Sequence, residues 1–272
     1  MSTLVIGDIH LMAGIILPLI EKQIKEEISH IVFTGDYTDQ WGQNGNSRLY
    51  MKDLQFLLDW KKQREEDGIK VTCLLGNHDI PYIIERPVQY SLLFGDKRDH
   101  VKELILKLNP QVSCWSDDFL ISHGGYLGDT KIEDWHQEPI PKHFNYAEHQ
   151  RLWRDLGSIE RDVGFCRGGS RNYGSPVWAD AKEEFFHYPS KEYLNQCVGH
   201  RPVNEVMELS KDGAKLVVVD TFSLKRAPFW PYYHQISNNS GVVVLNEGKH
   251  KIMPIPEWNE LPEETFIDYF EN

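Results

Sequence analysis

The sequence predicts an α/β fold built on a largely parallel sheet. Short apolar runs end in Gly-Asp at 7–8, in Gly-Asp at 35–36 and in Gly-Asn at 76–77, and helical patterns separate them. Repeated strand–helix units place successive strands side by side and in the same direction. Their carboxyl ends therefore meet at one edge of the sheet, where ligands bind in this fold class.

The first half of the chain supplies three such units. Apolar runs predict strands at 4–6, 31–33 and 71–75, and apolar residues at helical spacing predict helices at 15–27 and 47–66. Ser47 is a candidate N-cap for the second helix, because a hydroxyl can accept a hydrogen bond from a free backbone N–H.

The second half is less regular. Helices are predicted at 91–108 and 145–156, and strands at 111–115, 119–122, 196–198, 205–209, 215–219 and 242–246. The last three strands are spaced like an antiparallel meander. We expect one domain over residues 1–272.

Two stretches of this predicted domain differ in composition from the rest. Residues 126–190 are rich in Trp, Tyr, Pro, Gly and His, which indicates a lid over the site of the first half. Residues 257–272 are acidic but also aromatic. Aromatic side chains favour burial, so we expect this segment to pack onto the domain.

The charge and composition of the chain disfavour some classes of binding partner. The chain has 272 residues and a formal net charge of −12, which disfavours nonspecific binding to nucleic acid or to an anionic membrane. The first residues lack the basic start of a signal peptide, and no apolar run reaches the ~18 residues of a membrane span. The expected location is the cytoplasm.

The four cysteines, Cys73, Cys114, Cys166 and Cys197, form no CxxC pair and match no zinc-site spacing. We expect four small buried hydrophobic side chains in a reducing compartment.

Polar side chains that can bind a metal or transfer a proton follow the predicted strands. They are Asp8, His10, Asp36, Asp39, Asn77, His78, His123 and His200. Neighbouring strands would bring Asp8 and Asp36 together, and because like charges repel, the pair indicates a divalent cation between them. Oxygen and imidazole ligands without thiolate suit manganese, iron, zinc or cobalt.

Five blocks in order resemble a known superfamily. They are GDIH at 7–10, GDYTD at 35–39, GNHD at 76–79, SHGG at 122–125 and GHRPV at 199–203. They are similar to the signature of the calcineurin-like metallophosphoesterases, and closest to the phosphoprotein phosphatase branch with its bacteriophage lambda-type phosphatases. VVVDTF at 217–222 resembles a further segment of that branch. The resemblance implies a four-layer α/β-β/α sandwich of two mixed sheets flanked by helices.

The resemblance also implies residue roles and two divalent metal ions. Manganese is the first candidate for these ions. Asp8 and His10 would bind one ion, Asp36 both, and Asn77, His123 and His200 the second. A hydroxide bridging the ions would attack phosphorus in line with the ester oxygen. His78 would protonate that oxygen, and Asp39 would orient His78.

The chain departs from the pattern of that branch at two positions. Gln40 stands where the branch has an arginine that binds phosphate, and Asp79 stands where the wider superfamily commonly has glutamate. Either another cation then binds the phosphate or the metal ions bind it alone, because glutamine cannot make the bidentate contact of a guanidinium. Arg167 and Arg171 are the candidates, and Lys182, Arg201 and Arg48 are the alternatives.

Three functions stay open at this stage. The first is a phosphatase acting on phosphomonoesters, with a phosphoserine or phosphothreonine protein or a small phosphate ester as substrate. The second is hydrolysis of a phosphodiester or a dinucleoside polyphosphate, since a less charged substrate depends less on a second cation. The third is a non-catalytic metal-binding protein that presents its acidic, aromatic surface to a partner.

Overall fold

The computed structural model describes residues 2–24, 27–226 and 233–271. Twelve strands lie in these residues: β1 Ser2–Ile6, β2 Ile28–Phe33, β3 Lys70–Cys73, β4 Ser113–Ser116, β5 Phe119–Ser122, β6 Asn195–Val198, β7 Met207–Lys211, β8 Ala214–Val218, β9 Leu224–Arg226, β10 Tyr233–Gln235, β11 Gly241–Asn246 and β12 Lys249–Pro254. The helices are α1 Ala13–Gln23, α2 Ser47–Glu66, α3 Ile80–Ile83, α4 Gly95–Lys107, α5 Tyr146–Arg161, α6 Ala181–Glu184, α7 Pro256–Asn259 and α8 Glu263–Glu271.

The strands form two five-stranded mixed sheets and a two-stranded ribbon. The first sheet has the order β12-β11-β1-β2-β3 and the second β4-β5-β6-β8-β7. In the first, β1, β2 and β3 are parallel and β11 is antiparallel to β1. In the second, β5, β6 and β8 are parallel. The predicted parallel units are present, but antiparallel strands extend each sheet, as the four-layer fold requires.

The core lies in layers. One buried cluster lies between the sheets and includes Val5 and Val243 from the first sheet and Ile121 and Val217 from the second. A larger cluster packs α1 and α2 on the outer face of the first sheet, and a third covers the outer face of the second sheet. The molecule is therefore an α/β structure of two mixed sheets flanked by helices.

The predicted meander is wrong in its last strand. β7 and β8 pair antiparallel, but β11 lies in the other sheet between β1 and β12. The reason is the apolar run of β11: Val242 and Val244 face the helices, whereas Val243 and Leu245 face the second sheet. A strand that is buried on both faces belongs in the interior of a sheet and not at its edge.

Helix boundaries differ at several points. The side chain of Asn46, not of Ser47, caps α2 by accepting a hydrogen bond from Leu49 N at 3.1 Å. The helix predicted from 91 begins only at Gly95, and the short α3 was not predicted. None of the helices in the described residues is long and apolar enough to cross a bilayer.

The cysteine prediction is only partly right. Cys73 and Cys197 are buried and Cys114 is partly buried, but Cys166 is exposed, because it lies in a surface 3₁₀ turn at Phe165–Arg167. All four are free thiols.

Residues 126–190 contain α5, α6 and two 3₁₀ turns joined by irregular chain. In the C-terminal segment, Phe266 contacts Trp258 with a centroid distance of 5.3 Å, and Phe270 contacts Tyr233 at 4.9 Å.

Candidate active site

The turns that follow the strands bring the predicted residues together at one edge. Two glycines allow this close approach: a Cβ on Gly76 would lie 2.0 Å from Asp36 Oδ1, and one on Gly199 would lie 2.1 Å from Asp8 Oδ1. His10, Asp36, Asp39 and His200 have positive φ values of 37°, 53°, 60° and 66°. Non-glycine residues rarely adopt this conformation, and such strain concentrates at functional sites.

The first group of candidate ligand atoms belongs to Asp8, His10 and Asp36, which all lie within 4.8 Å of one another. His10 Nδ1 donates to the carbonyl of Thr38 at 3.0 Å, since that oxygen can only accept. His10 Nε2 therefore carries the lone pair, and it lies 3.7 Å from Asp36 Oδ2. This group offers two carboxylates and one imidazole nitrogen to a cation.

The second group belongs to Asp36, His123 and His200, again within 4.8 Å. His123 Nδ1 donates to the carbonyl of Thr34 at 3.0 Å, so in the neutral ring Nε2 is an acceptor. Around this Nε2 lie Asn77 Oδ1 at 3.0 Å, His200 Nδ1 at 3.1 Å and Asp36 Oδ2 at 3.4 Å. A convergence of acceptor atoms, buried from water, suits a divalent cation.

The two sheets meet at Asp8. Its carboxylate accepts hydrogen bonds from Thr34 Oγ1 at 3.0 Å and from the backbone N of His200 at 3.0 Å. His200 Nε2 is buried and has no hydrogen-bond partner among the described residues. The ring of Trp178 lies perpendicular to His200 at a centroid distance of 5.8 Å.

The electrostatics of the site favour positive charge. Burial lowers the pKa of His123, but the carboxylates of Asp36 and Asp8 outweigh it and raise that pKa to about 9. Burial alone would raise the pKa of Asp36, yet the imidazoles of His123, His78 and His10 hold it well below its usual range. For Asp8, burial outweighs the imidazoles and raises the pKa. A cation between these groups would relieve the repulsion of the two carboxylates.

His78 lies beside this cluster and is partly exposed to the cavity. Its Nδ1 lies 3.2 Å from Asp39 Oδ2, and its ring lies against Tyr90 at a centroid distance of 4.1 Å. Burial lowers the pKa of His78, but Asp36 and Asp39 raise it to about 9. The two carboxylates therefore favour the protonated form of the imidazole, which can donate a proton.

Asp79 links two neighbouring turns through hydrogen bonds to the backbone. Its carboxylate accepts hydrogen bonds from the backbone N of Asp36 at 2.8 Å, of Tyr37 at 3.0 Å and of Gly76 at 3.0 Å. These bonds join the turns that follow β2 and β3. The aspartate in place of glutamate therefore holds the two neighbouring turns at a set distance.

Both polar groups of the Gln40 side chain form hydrogen bonds within the protein. Its Nε2 donates to the carbonyl of His10 at 3.2 Å, and its Oε1 accepts from the backbone N of Trp41 at 2.8 Å. The side chain is buried and stiffens the loop. Its two polar groups are therefore already engaged, although the side chain lines the cavity beside the cluster.

A cavity of ≈ 610 Å³ opens beside the cluster. Of the candidate cations, only Arg167 lines it. Arg171 pairs with Asp162 at 3.4 Å with a side chain that is 67% exposed, and Arg201 pairs with Asp180 at 3.2 Å. Arg48 lines a separate groove beside α8.

Several residues of this cavity were not predicted from the sequence. Arg226, Tyr90 and Trp178 line it, as does Asp220, whose buried Oδ2 has no hydrogen-bond partner among the described residues. Burial, and then the charge of Asp8, raises the pKa of Asp220 well above its usual range. Asp220 lies in the VVVDTF segment, and Trp178 ends the Pro-Val-Trp run at 176–178, which also resembles a segment of the family, so both motifs were available signals. Arg226 and Tyr90 lie in no recognisable motif.

A sequence profile of the calcineurin-like phosphoesterases matches residues 1–219. No curated protein matches the chain. The chain shares its fold with the cold-active protein-tyrosine phosphatase of a psychrophilic Shewanella species, with a TM-score of 0.53 and 16% identity over 93% of this chain and 80% of that one. A protein serine/threonine phosphatase from Saccharomyces cerevisiae aligns with a TM-score of 0.50 and 14% identity, over 94% of this chain and 83% of that one.

Identities this low show a common fold and leave the substrate open. The profile, in contrast, covers most of the chain, including all five sequence blocks and the edge at which they meet. The chain therefore belongs to the calcineurin-like phosphoesterase family and is a metal-dependent phosphoesterase.

Proposed function

We propose that the chain is a dinuclear-metal phosphatase that hydrolyses phosphomonoesters. The observation that carries the proposal is that two groups of ligand atoms share Asp36, and that the His78–Asp39 pair lies beside them. His78 Nε2 lies 4.0 Å from Asp36 Oδ2, so a proton donor is next to the shared carboxylate.

The proposed ligands divide between two ions. Asp8, His10 and Asp36 would hold the first, and Asp36, Asn77, His123 and His200 the second. Manganese is the first candidate, and iron, zinc and cobalt are the alternatives, since the donors are oxygen and imidazole. When bound, the two ions would neutralise phosphoryl oxygens and lower the pKa of a water molecule.

His78 is the proposed general acid. Its Nδ1 side is held by Asp39, which leaves Nε2 to donate a proton to the leaving ester oxygen. The carboxylate of Asp39 beside Nδ1 supports this role, because it stabilises the protonated ring. A positioned acid of this kind contributes about 10²–10⁴-fold to the rate.

Arg167 is the proposed phosphate-binding cation. It lines the cavity, and its buried Nε has no hydrogen-bond partner among the described residues. Its pKa is lowered by burial and by the nearby Arg201, which indicates a cation that lacks full compensation. Such a guanidinium suits the dianion of a phosphomonoester. Arg171 is not placed for this role, because it pairs with Asp162 outside the cavity.

The substrate class we favour is a phosphomonoester, either on a phosphoserine or phosphothreonine protein or on a small molecule. Hydrolysis of a diester or a dinucleoside polyphosphate is the second candidate. It is favoured by Gln40, which has no positive charge and is hydrogen-bonded within its own loop, because a less charged substrate depends less on a second cation. The presence of Arg167 in the cavity argues for the monoester.

A side-by-side assay tests the proposal. Manganese-loaded protein should release p-nitrophenol from p-nitrophenyl phosphate at least about tenfold faster than from bis-p-nitrophenyl phosphate. A preference for the diester would favour the second candidate. Stoichiometric metal without turnover of either ester would favour the non-catalytic metal-binding protein.

A further inference from the structure

The carboxylate of Asp39 makes contacts on both of its oxygens. Oδ2 faces His78 Nδ1 at 3.2 Å. Oδ1 accepts two hydrogen bonds, from the hydroxyls of Tyr50 and Tyr82, each at 2.6 Å. Tyr50 and Tyr82 are both buried, with 0% and 3% of their surface exposed. Two tyrosines on one oxygen form an arrangement that the sequence analysis did not anticipate.

The direction of these hydrogen bonds is set by the surroundings. Burial, together with the charge of Asp39, raises the pKa of both tyrosines far above the usual range, so both hydroxyls keep their protons. The hydroxyl of Tyr82 also accepts a hydrogen bond from the backbone N of Leu92 at 2.7 Å. Its own proton is therefore directed at Asp39.

The two donors come from different elements. Tyr50 lies on α2 and Tyr82 on α3, while Asp39 lies in the turn after β2 with a φ of 60°. A carboxylate held on one oxygen by donors from two helices cannot rotate without breaking a bond. Its second oxygen is then directed at His78.

The chemistry of the donors matters as well. A lysine or arginine on Oδ1 would neutralise the carboxylate. Two neutral hydroxyls satisfy the same buried oxygen and leave its negative charge in place. That charge is available to stabilise the imidazolium of His78 and to hold its Nδ1 proton.

We propose that Tyr50 and Tyr82 are positioning residues for the phosphatase reaction, acting through Asp39 on His78. Together they hold Oδ2 against His78 Nδ1, so that Nε2 stays aimed at the leaving ester oxygen. The inference rests on the proposed function, in which His78 is the general acid.

The kinetic test uses the dependence of the rate on the leaving group. Phenolate is a poor leaving group and needs protonation, whereas 2,4-dinitrophenolate leaves without it. Tyr50→Phe and Tyr82→Phe should each lower kcat for phenyl phosphate about tenfold, and the double variant about a hundredfold. With 2,4-dinitrophenyl phosphate the rates should stay within about twofold, and KM should not change for either substrate.

Tyr126→Phe is the matched control. Tyr126 is equally buried, and its hydroxyl lies 3.0 Å from Ser113 Oγ in the second sheet, away from Asp39. This variant should keep both rates. An equal loss on both esters in the Tyr50 and Tyr82 variants would show general damage to the site and would overturn the inference, as would no loss at all.

A second readout does not need activity. In metal-free protein labelled with ¹⁵N-histidine, the Nδ1 proton of His78 should give a hydrogen-bonded resonance that is absent in His78→Ala. The resonance should shift or broaden in Tyr50→Phe and Tyr82→Phe but not in Tyr126→Phe. An unchanged resonance would overturn the inference whatever the activity. Wild-type protein without phosphatase activity would overturn the proposed function separately, and the resonance would then decide whether the tyrosines hold Asp39.

Discussion

The turns that follow β1, β2 and β3 differ from residues 126–190 in how they hold their functional groups. In the turns, side chains and backbone share short hydrogen bonds, such as those from Asp36 N and Gly76 N to Asp79. Residues 126–190 contain no strand longer than a single bridge, and they place Arg167 at the cavity from a 3₁₀ turn and Trp178 from irregular chain. The tightly hydrogen-bonded groups therefore come from strand ends, whereas residues 126–190 supply side chains that line the cavity.

Asp36 and Glu160 show how the surroundings of a buried carboxyl group set its pKa. In the turns, Asp36 has a pKa held well below its usual range, because three imidazoles outweigh its burial. In residues 126–190, burial raises the pKa of Glu160 to about 7, although Trp178 Nε1 donates to it at 3.0 Å. The surroundings of Asp36 therefore stabilise its ionised form, whereas the surroundings of Glu160 favour its protonated form.

The largest expected effect comes from breaking the shared carboxylate. Asp36→Asn should lower phosphatase activity at least about 10³-fold and reduce bound metal, because both groups of ligands lose their common member. Metal analysis and release of p-nitrophenol measure the two effects. Asp162→Asn, the same change in residues 126–190, should alter neither, and comparable losses in both variants would contradict the comparison.

Removing the proposed acid should cost less and leave the metal in place. His78→Ala should lower kcat for p-nitrophenyl phosphate by about 10²–10⁴-fold with unchanged metal content, since only proton transfer is lost. His149→Ala, on α5, serves as the control and should retain full activity. Equal rates for wild type and His78→Ala would remove His78 from the mechanism.

Replacing Arg167, which reaches the cavity from residues 126–190, should mainly weaken substrate binding. Arg167→Ala should raise KM about tenfold with a smaller change in kcat, because the cation contacts the phosphate in both ground and transition states. Arg171→Ala, four residues later, should stay within about twofold of wild type. Steady-state kinetics on p-nitrophenyl phosphate decide this, and the reverse ranking would exchange the two arginines.

The smallest effect concerns stability against pH. The folded-state pKa of Glu160, about 7, lies above the ordinary value of 4.5, so the folded protein binds this proton more tightly. The stability from this group is present below pH ~4.5 and is lost as the pH rises towards ~7, by at most about 3 kcal/mol. In urea unfolding at several pH values, Glu160→Gln should show less of this decline. Parallel curves for wild type and variant would mean that Glu160 is not the group responsible.

The parts of the fold that were predicted correctly have local signals. An apolar run followed by Gly and a polar residue identified β1, β2 and β3 and the residues after them, and Asp8, Asp36 and Asn77 lie at one edge as expected. Local sequence signals could not predict which of the two sheets β11 joins. Its apolar run is compatible with either sheet, and only the packing of Val243 and Leu245 between the two sheets decides it.

The sequence by itself determined the fold class and the set of candidate ligands, because strand ends and their glycines are specified by neighbouring residues. The tertiary structure decided which distant groups act on that set. It placed Arg167 at the cavity and Arg171 outside it, and it brought Tyr50 and Tyr82 onto Asp39. These contacts depend on how helices and irregular loops pack across the sheet edge, and no local pattern in the chain records that packing.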